Sequence, residues 1–173
     1  MIKEMVINPL GVYIAWRNRK YALAKEEYFK LQQVVERIDA KLLSLEKYRE
    51  KFEIFFKQSF HASKNYGSIF IDMNNTFDIS AFDNNCEEIA ALIDIYFSNV
   101  GENWNFCLVK FNELLTLTFK LNKKIENNSI IDWGEEVKNF NSINLELSNK
   151  PEKIASNIKQ ELKKPALIIS LSF

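Results

Sequence analysis

Histidine, cysteine, glycine and proline are all scarce in this chain. Its 173 residues include one His, two Cys, four Gly and three Pro. One imidazole and two thiols cannot furnish a four-ligand zinc site unless carboxylates complete it, and two cysteines are too few for a disulfide framework. The sequence also lacks a glycine-rich phosphate loop, a nucleophile elbow and a zinc-binding helix motif. We therefore expect no metal, no cofactor and no enzymatic activity, and a reducing, cytoplasmic location.

A net charge and a long apolar run are missing as well. Lys plus Arg and Asp plus Glu number 23 each, so no overall positive field attracts a nucleic acid. No apolar stretch reaches the roughly 18 to 20 residues of a membrane-spanning helix. The N-terminus meets Pro9 before a signal-peptide core develops. These features predict one soluble intracellular domain, residues 1–173, with neither nucleic acid nor membrane as a partner.

The strongest pattern is helical and lies in the first third of the chain. No Gly or Pro occurs from Tyr21 to Phe60. Apolar residues recur there every seven positions in two registers, which is typical of a helix with one buried face. The first register is Leu31, Ile38, Leu45 and Phe52, and the second is Tyr28, Val35, Leu42 and Phe56, interrupted once by Arg49.

The length of this helix leaves two possibilities open. Residues 21–60 would span about 60 Å, whereas a domain of 173 residues is roughly 40 Å across. The helix therefore either bends into a hairpin or kink, or protrudes as an arm that finds a partner. The apolar stripe on residues 28–56 is long enough to drive association, and we expect a homodimer.

Cations and aromatic residues are interleaved at the start of the same helix. They are Arg17, Arg19, Lys20 and Lys25, beside Trp16 and Tyr21. This interleaving also occurs where proteins bind single-stranded nucleic acid. We favour the simpler interpretation, the first turns of an amphipathic helix.

Residues beyond 66 show strand and helix patterns in alternation. Apolar residues at 115, 117, 119 and 121 alternate with polar ones, as they do at 143–147 and 167–173, which predicts strands. A hairpin or single strand is predicted within 69–80. Helices are predicted after an N-cap at Asp83 or Asn84, after Asp132, and from Pro151 to a stop at Lys163-Lys164-Pro165.

These elements predict an α+β fold class. A long N-terminal helical element, residues 1–64, precedes an α+β core, residues 66–173, in which a small mixed sheet packs against helices. An all-α bundle is the alternative.

Charge is strongly segregated along the chain. Residues 1–64 carry 13 basic and eight acidic side chains, whereas residues 65–109 carry seven acids and no Lys or Arg. Either the basic helix neutralises this acidic block, or the block is a docking surface for a cationic protein. The acids are Asp72, Asp78, Asp83, Glu87, Glu88, Asp94 and Glu102, and the aromatic residues expected to anchor a partner beside them are Tyr66, Phe70, Phe77 and Phe82.

We therefore expect a protein that acts by binding another protein. The leading hypothesis is an inhibitor or immunity-type protein that neutralises a basic toxin or nuclease through the acidic block. The alternative is a helical adaptor or assembly subunit acting through its N-terminal helix. An enzyme is the third hypothesis, and it would require Asp, Glu, Tyr and Lys side chains to converge in one deep pocket.

Overall fold

Five α-helices make up nearly all of the protein that the structure, a computed structural model, describes. It describes residues 9–64 and 77–170, and side-chain surroundings within 10–62 and 77–163. The helices are α1 (Pro9–Lys64), α2 (Ile79–Tyr96), α3 (Gly101–Glu126), α4 (Trp133–Leu147) and α5 (Lys150–Ser170), with a 3₁₀ turn at Ser98–Val100. No strand occurs in these two stretches. The α+β prediction is therefore wrong, and the all-α alternative fits.

The predicted strand at residues 115–121 is part of α3, whose buried side follows a different period. Its buried residues are Trp104, Cys107, Phe111, Leu114, Thr118 and Leu121. They are spaced three and four apart, which places them on one face of a helix. Thr118 fits this apolar face because its hydroxyl donates to the Leu114 carbonyl at 2.8 Å. The alternating Leu115, Leu117 and Phe119 lie on the flanks, where none of them is fully buried.

The strand–helix–strand unit predicted in the C-terminal part is also helical. Residues 143–147 belong to α4, where Phe140 and Leu147 are buried and Leu145 is 77% exposed. The helix start at Pro151 is confirmed to within one residue, since α5 begins at Lys150. The predicted stop at Pro165 is wrong, because α5 continues to Ser170. Of the expected final strand, residues 167–170 are helical and 171–173 lie outside the described residues.

Aspartates cap two of the helices. Asp132 is confirmed as an N-cap, with its carboxylate accepting from the backbone N–H groups of Gly134 and Glu135. The cap expected at Asp83 or Asn84 is wrong, because α2 starts earlier, at Ile79. Asp78 caps it by accepting from the backbone N–H of Ala81 at 2.9 Å, which satisfies a donor that the first helical turn leaves free. The predicted hairpin within 69–80 falls mostly outside the described residues, and Ile79 and Ser80 are helical.

The long N-terminal helix neither bends back nor breaks. α1 runs for 56 residues, which corresponds to about 84 Å. Both predicted registers are on its packed side, where Ile38, Leu45 and Phe52 are completely buried. Arg49, which interrupts the second register, reaches α4 and donates to the Asn144 side-chain oxygen at 2.8 Å. The interruption is thus a polar bridge between two helices.

The other helices line up along the C-terminal half of α1. The Tyr48 hydroxyl donates to the Asp78 carbonyl, and Arg37 pairs with Glu88 further along α2. As α2 advances, its partners on α1 move toward the N-terminus, so these two helices are antiparallel.

The same direction holds for α4 and α5. The Phe56 ring stacks on Phe140 with centroids 4.3 Å apart, and Asp39 pairs with Lys159 at 2.5 Å. Three helices therefore pack antiparallel to α1 over residues 31–60. α3 completes the bundle with its Phe111 ring edge-on to Phe82.

The N-terminal part of α1 extends beyond this bundle. α2 ends at Tyr96, which lies within electrostatic range of Lys30. Residues 10–23 are all exposed, and within 24–30 only Ala24 and Tyr28 are half-buried. We refer to residues 10–30 as the arm.

Phe111 and Phe119, both in α3, provide a matched test of the helical assignment. We expect Phe111→Ala to lower the free energy of unfolding by about 3 to 5 kcal/mol, because a fully buried ring leaves a cavity. Phe119→Ala should cost about 1 kcal/mol or less, since that ring is 39% exposed. Urea unfolding of the two variants measures both values. A strand with residues 115, 117, 119 and 121 facing the core predicts the opposite order.

Candidate partner-binding surface

Two of the four aromatic residues expected to anchor a partner belong to the core. Phe77 and Phe82 are each 1% exposed. The Phe77 ring stacks on Phe52 with centroids 4.6 Å apart, and the Phe82 ring lies edge-on to Tyr48 at 5.4 Å. Neither ring is available to a partner in this structure. The remaining two, Tyr66 and Phe70, lie outside the described residues, as does Asp72.

Glu88 is the one acid of the block that α1 neutralises among the described residues. Its carboxylate pairs with Arg37 and with Lys41, whose ammonium lies 2.6 Å away. The hydrogen bond from Lys41 is the main cause that holds the pKa of Glu88 below its usual value. Lys41 also donates to the Asn85 side-chain oxygen at 3.0 Å. The side of α2 that carries Asn85 and Glu88 therefore faces α1.

Three other acids share one exposed side of α2. At 100° per residue, Asp83, Glu87 and Asp94 fall within about 40° of each other around the helix. This direction is about 150° from the side that faces α1 and about 110° from the buried side. All three are exposed and have no ion pair with the described residues. We call them the acidic stripe.

The last two acids have other positions. Asp78 is used as the cap of α2, and Tyr48 donates to its carbonyl. Glu102 is exposed in the first turn of α3, where the helix dipole favours a negative charge. The structure therefore places three of the seven acids together, on α2.

The arm is a second exposed surface, and a protruding arm was one of the two possibilities that the length of the helix left open. Apart from Tyr28, its large apolar side chains are at least one-third exposed, among them Leu10 at 64% and Trp16 at 52%. They are Leu10, Val12, Tyr13, Ile14, Trp16, Tyr21, Leu23 and Phe29. The Lys20 ammonium lies 4.1 Å from the centre of the Trp16 ring. The interleaved cations and aromatic residues that suggested an amphipathic helix start thus lie on a stretch of helix, residues 10–23, in which every residue is exposed.

A shallow groove lies between α3 and α4. Its volume is about 490 Å³, and its lining is mainly apolar, with Val109, Leu117 and Ile143. It contains one carboxylate, Glu113, and one ammonium, Lys120, but no tyrosine. Asp, Glu, Tyr and Lys do not converge there, so the third hypothesis, an enzyme, gains no support from this groove.

The two cysteines are buried packing residues. Burial raises the pKa of the Cys86 thiol to about 12, and it raises the pKa of Cys107 to about 12 as well. The thiolate is the reactive form of cysteine. We expect both thiols to stay unmodified by a disulfide reagent at pH 8 in the folded protein and to react together when urea unfolds it. A fast phase of thiol modification in native buffer would contradict this, because it would show that one of the two cysteines is accessible.

Glu88 gives the protein a pH-dependent stability. Because its pKa is lowered by folding, the ionised carboxylate stabilises the folded state at pH 7, and this contribution is lost as the pH falls below the ordinary value of 4.5. We expect Glu88→Gln to be less stable than the wild type at pH 7, with the difference shrinking in acid. Glu87→Gln is the control, since Glu87 has no ion pair with the described residues. Thermal unfolding from pH 7 to pH 3 measures the difference, and a constant gap between wild type and Glu88→Gln would contradict the assignment.

The described helices hold neither a metal cluster nor a membrane span. No group of three or more His, Cys, Asp or Glu side chains in them is placed to bind a metal ion. None of the helices within residues 9–64 and 77–170 is both long and apolar enough to cross a bilayer. No family model, curated protein or solved structure matches the chain.

Proposed function

We propose that the protein binds a basic protein through the acidic stripe and inhibits it, as an immunity-type protein does with a toxin or nuclease. The observation that supports this is the position of Asp83, Glu87 and Asp94 on the side of α2 that α1 leaves uncovered. The segment 65–109 contains no Lys or Arg that could neutralise them. An uncompensated negative surface accelerates the approach of a cationic partner and disfavours acidic ones.

The shape of α2 suits such a contact. The stripe is about 16 Å long, from Asp83 to Asp94. Ala90 and Ala91 lie between its ends, and their small side chains leave room for the long Lys or Arg side chains of a partner. Affinity also requires apolar or aromatic contacts, because exposed ion pairs contribute only about 0 to 1 kcal/mol each.

The predicted aromatic anchors do not supply those apolar contacts. Phe77 and Phe82 are in the core, but Ile95 is 70% exposed and Tyr96 is also exposed. Both follow Asp94 directly at the C-terminal end of α2. At 100° per residue, however, Ile95 lies about 100° and Tyr96 about 160° around the helix from the acidic stripe. Neither side chain therefore lies on the side of α2 that carries the stripe.

The adaptor hypothesis relies on α1, and most of that helix packs within the bundle. Residues 31–60 of α1 form the core with the other helices, so their deletion would unfold the bundle rather than remove a binding site. Residues 10–23 of the arm are the described part of α1 that the other helices leave exposed on all sides.

The partner can be identified by photo-crosslinking in the native cells. A photoreactive benzophenone amino acid at Ala91, in the middle of the stripe, should link the protein to one basic protein. The same group at Ser142, which is exposed on α4, is the control. Identical adducts from the two positions, or none from Ala91, would contradict the proposal.

The association rate with that partner then tests the role of charge. Neutralising the stripe should slow association at least tenfold at low salt, which is about the smallest effect of electrostatic steering. Added salt should slow the wild type toward the same rate, because charges are screened beyond roughly 10 Å at 0.1 M. The stripe variant is Asp83→Asn, Glu87→Gln and Asp94→Asn, and the control removes three exposed acids elsewhere with Glu50→Gln, Glu126→Gln and Glu152→Gln. Stopped-flow rates that fall equally in both variants would assign the effect to net charge and contradict a specific stripe.

A further inference from the structure

The apolar side chains at the end of the arm surround the helix. At 100° per residue, Leu10 and Ile14 point within about 40° of each other, Val12 and Trp16 point to nearly the opposite side, and Tyr13 lies between. All five are about half exposed or more. A helix that packs sideways on a neighbour has one apolar stripe, whereas a helix that is apolar all round is enclosed by its surroundings.

Polarity in the arm changes along the helix axis instead. The sequence has no charged residue from Met5 to Trp16. Four cations follow, at Arg17, Arg19, Lys20 and Lys25, and the first acid is Glu26. An axial change from apolar to basic is the pattern expected when a helix enters an apolar layer end-on and its cations meet an anionic boundary.

Aromatic residues mark the boundary between the two zones. Trp16 and Tyr13 are the last large side chains before the cations, and their rings lie 6.2 Å apart. Tryptophan and tyrosine concentrate at the level of lipid head groups, because each combines an apolar ring with a polar group. Lys20 over the Trp16 ring places a cation at the same level.

The exposed area is larger than an isolated protein surface usually carries. The eight large exposed apolar residues of the arm, each 37% to 64% exposed, expose on the order of 700 Å² of apolar surface in total. The largest apolar patch on a typical monomer is about 300 to 600 Å². Exposed apolar surface of this size is typical of sites that contact another molecule.

A second copy of the chain is disfavoured by charge as the occupant of this surface. Arms packed side by side in parallel would bring together the eight cations of residues 17–25, and the acids of the arm, Glu26 and Glu27, only follow them. Like charges in close contact oppose association. An anionic surface removes this conflict and uses the same cations favourably.

We propose that residues 10–16 insert into one leaflet of an anionic phospholipid bilayer, with the cations of residues 17–25 at the level of the phosphates. Residues 10–16 measure about 10 Å along the helix axis, which is about a third of a hydrocarbon core of roughly 30 Å. This segment alone is therefore too short to span the membrane. This replaces the expectation that the protein has no membrane partner, and it is independent of the acidic stripe, which lies on α2.

Binding of the full chain to vesicles tests the proposal without any protein partner. Co-sedimentation with vesicles of 70% phosphatidylcholine and 30% phosphatidylglycerol should capture the wild type, and pure phosphatidylcholine should capture much less. Arg19→Glu with Lys20→Glu should lower the partition coefficient at least tenfold, as expected for removing two cations and adding two anions near the surface. Lys120→Glu with Lys123→Glu makes the same change of charge on the bundle and should leave binding near the wild-type value.

Fluorescence quenching locates the inserted residue. Brominated acyl chains should quench Trp16 and not Trp104, which is 1% exposed. Trp16→Phe should therefore remove most of the quenching, while Ile14→Asp should weaken binding and leave the helical circular dichroism unchanged. The wild type remaining in the supernatant at 50 mM salt, or equal loss in the arm and bundle variants, would overturn the proposal. So would a dimer in sedimentation velocity that Ile14→Asp dissociates in the absence of vesicle binding, because the occupant would then be a second copy.

Discussion

The buried side of α1 is the constraint on which the other helices depend. Phe52 stacks on Phe77, just before α2, and Phe56 stacks on Phe140 of α4. Asp39 pairs with Lys159 and so fixes the position of α5 along α1. Since α1 is a continuous helix about 84 Å long, these contacts fix the position of three antiparallel helices along its C-terminal half. The bundle can cover only the part of α1 that those helices reach, and the arm follows from that difference in length.

This packing also decides which acids remain at the surface. α2 presents Glu88 and Asn85 to α1 and turns Ile89 and Ile93 toward the core. The uncovered side of the helix is then the one that carries Asp83, Glu87 and Asp94. The two interpretations of the acidic block, internal neutralisation and a docking surface, therefore apply to different members of it. Glu88 is neutralised by α1, and the stripe is not.

The heptad spacing of α1 was predictable because large apolar residues fill both registers. The helical state of α3 was not predictable, because Cys107 and Thr118 are on its buried face. Leu115, Leu117 and Phe119 alternate with polar residues, which is the pattern expected of a strand. Only tertiary packing and the hydrogen bond from Thr118 to Leu114 resolve that conflict. The acidic block could be recognised by counting charges along the sequence. The grouping of Asp83, Glu87 and Asp94 on one side of α2 could not, because the predicted helix began only after Asp83 or Asn84, whereas α2 begins at Ile79. A protruding arm was one predicted possibility, but the residues that form it could not be predicted, because no local pattern shows that α2 ends opposite Lys30.

A net charge of zero conceals two regions of opposite sign that the fold keeps apart. The arm could neutralise the stripe only by folding back, and α1 has no Gly or Pro between residues 12 and 64 at which to bend. Arg17 lies 13 residues beyond Lys30, the residue level with the end of α2, which is a further 20 Å or so along the axis. That is about two screening lengths at 0.1 M salt. Each region therefore keeps its own charge, and the continuous helix holds the cations that follow Trp16 apart from the acidic stripe on α2.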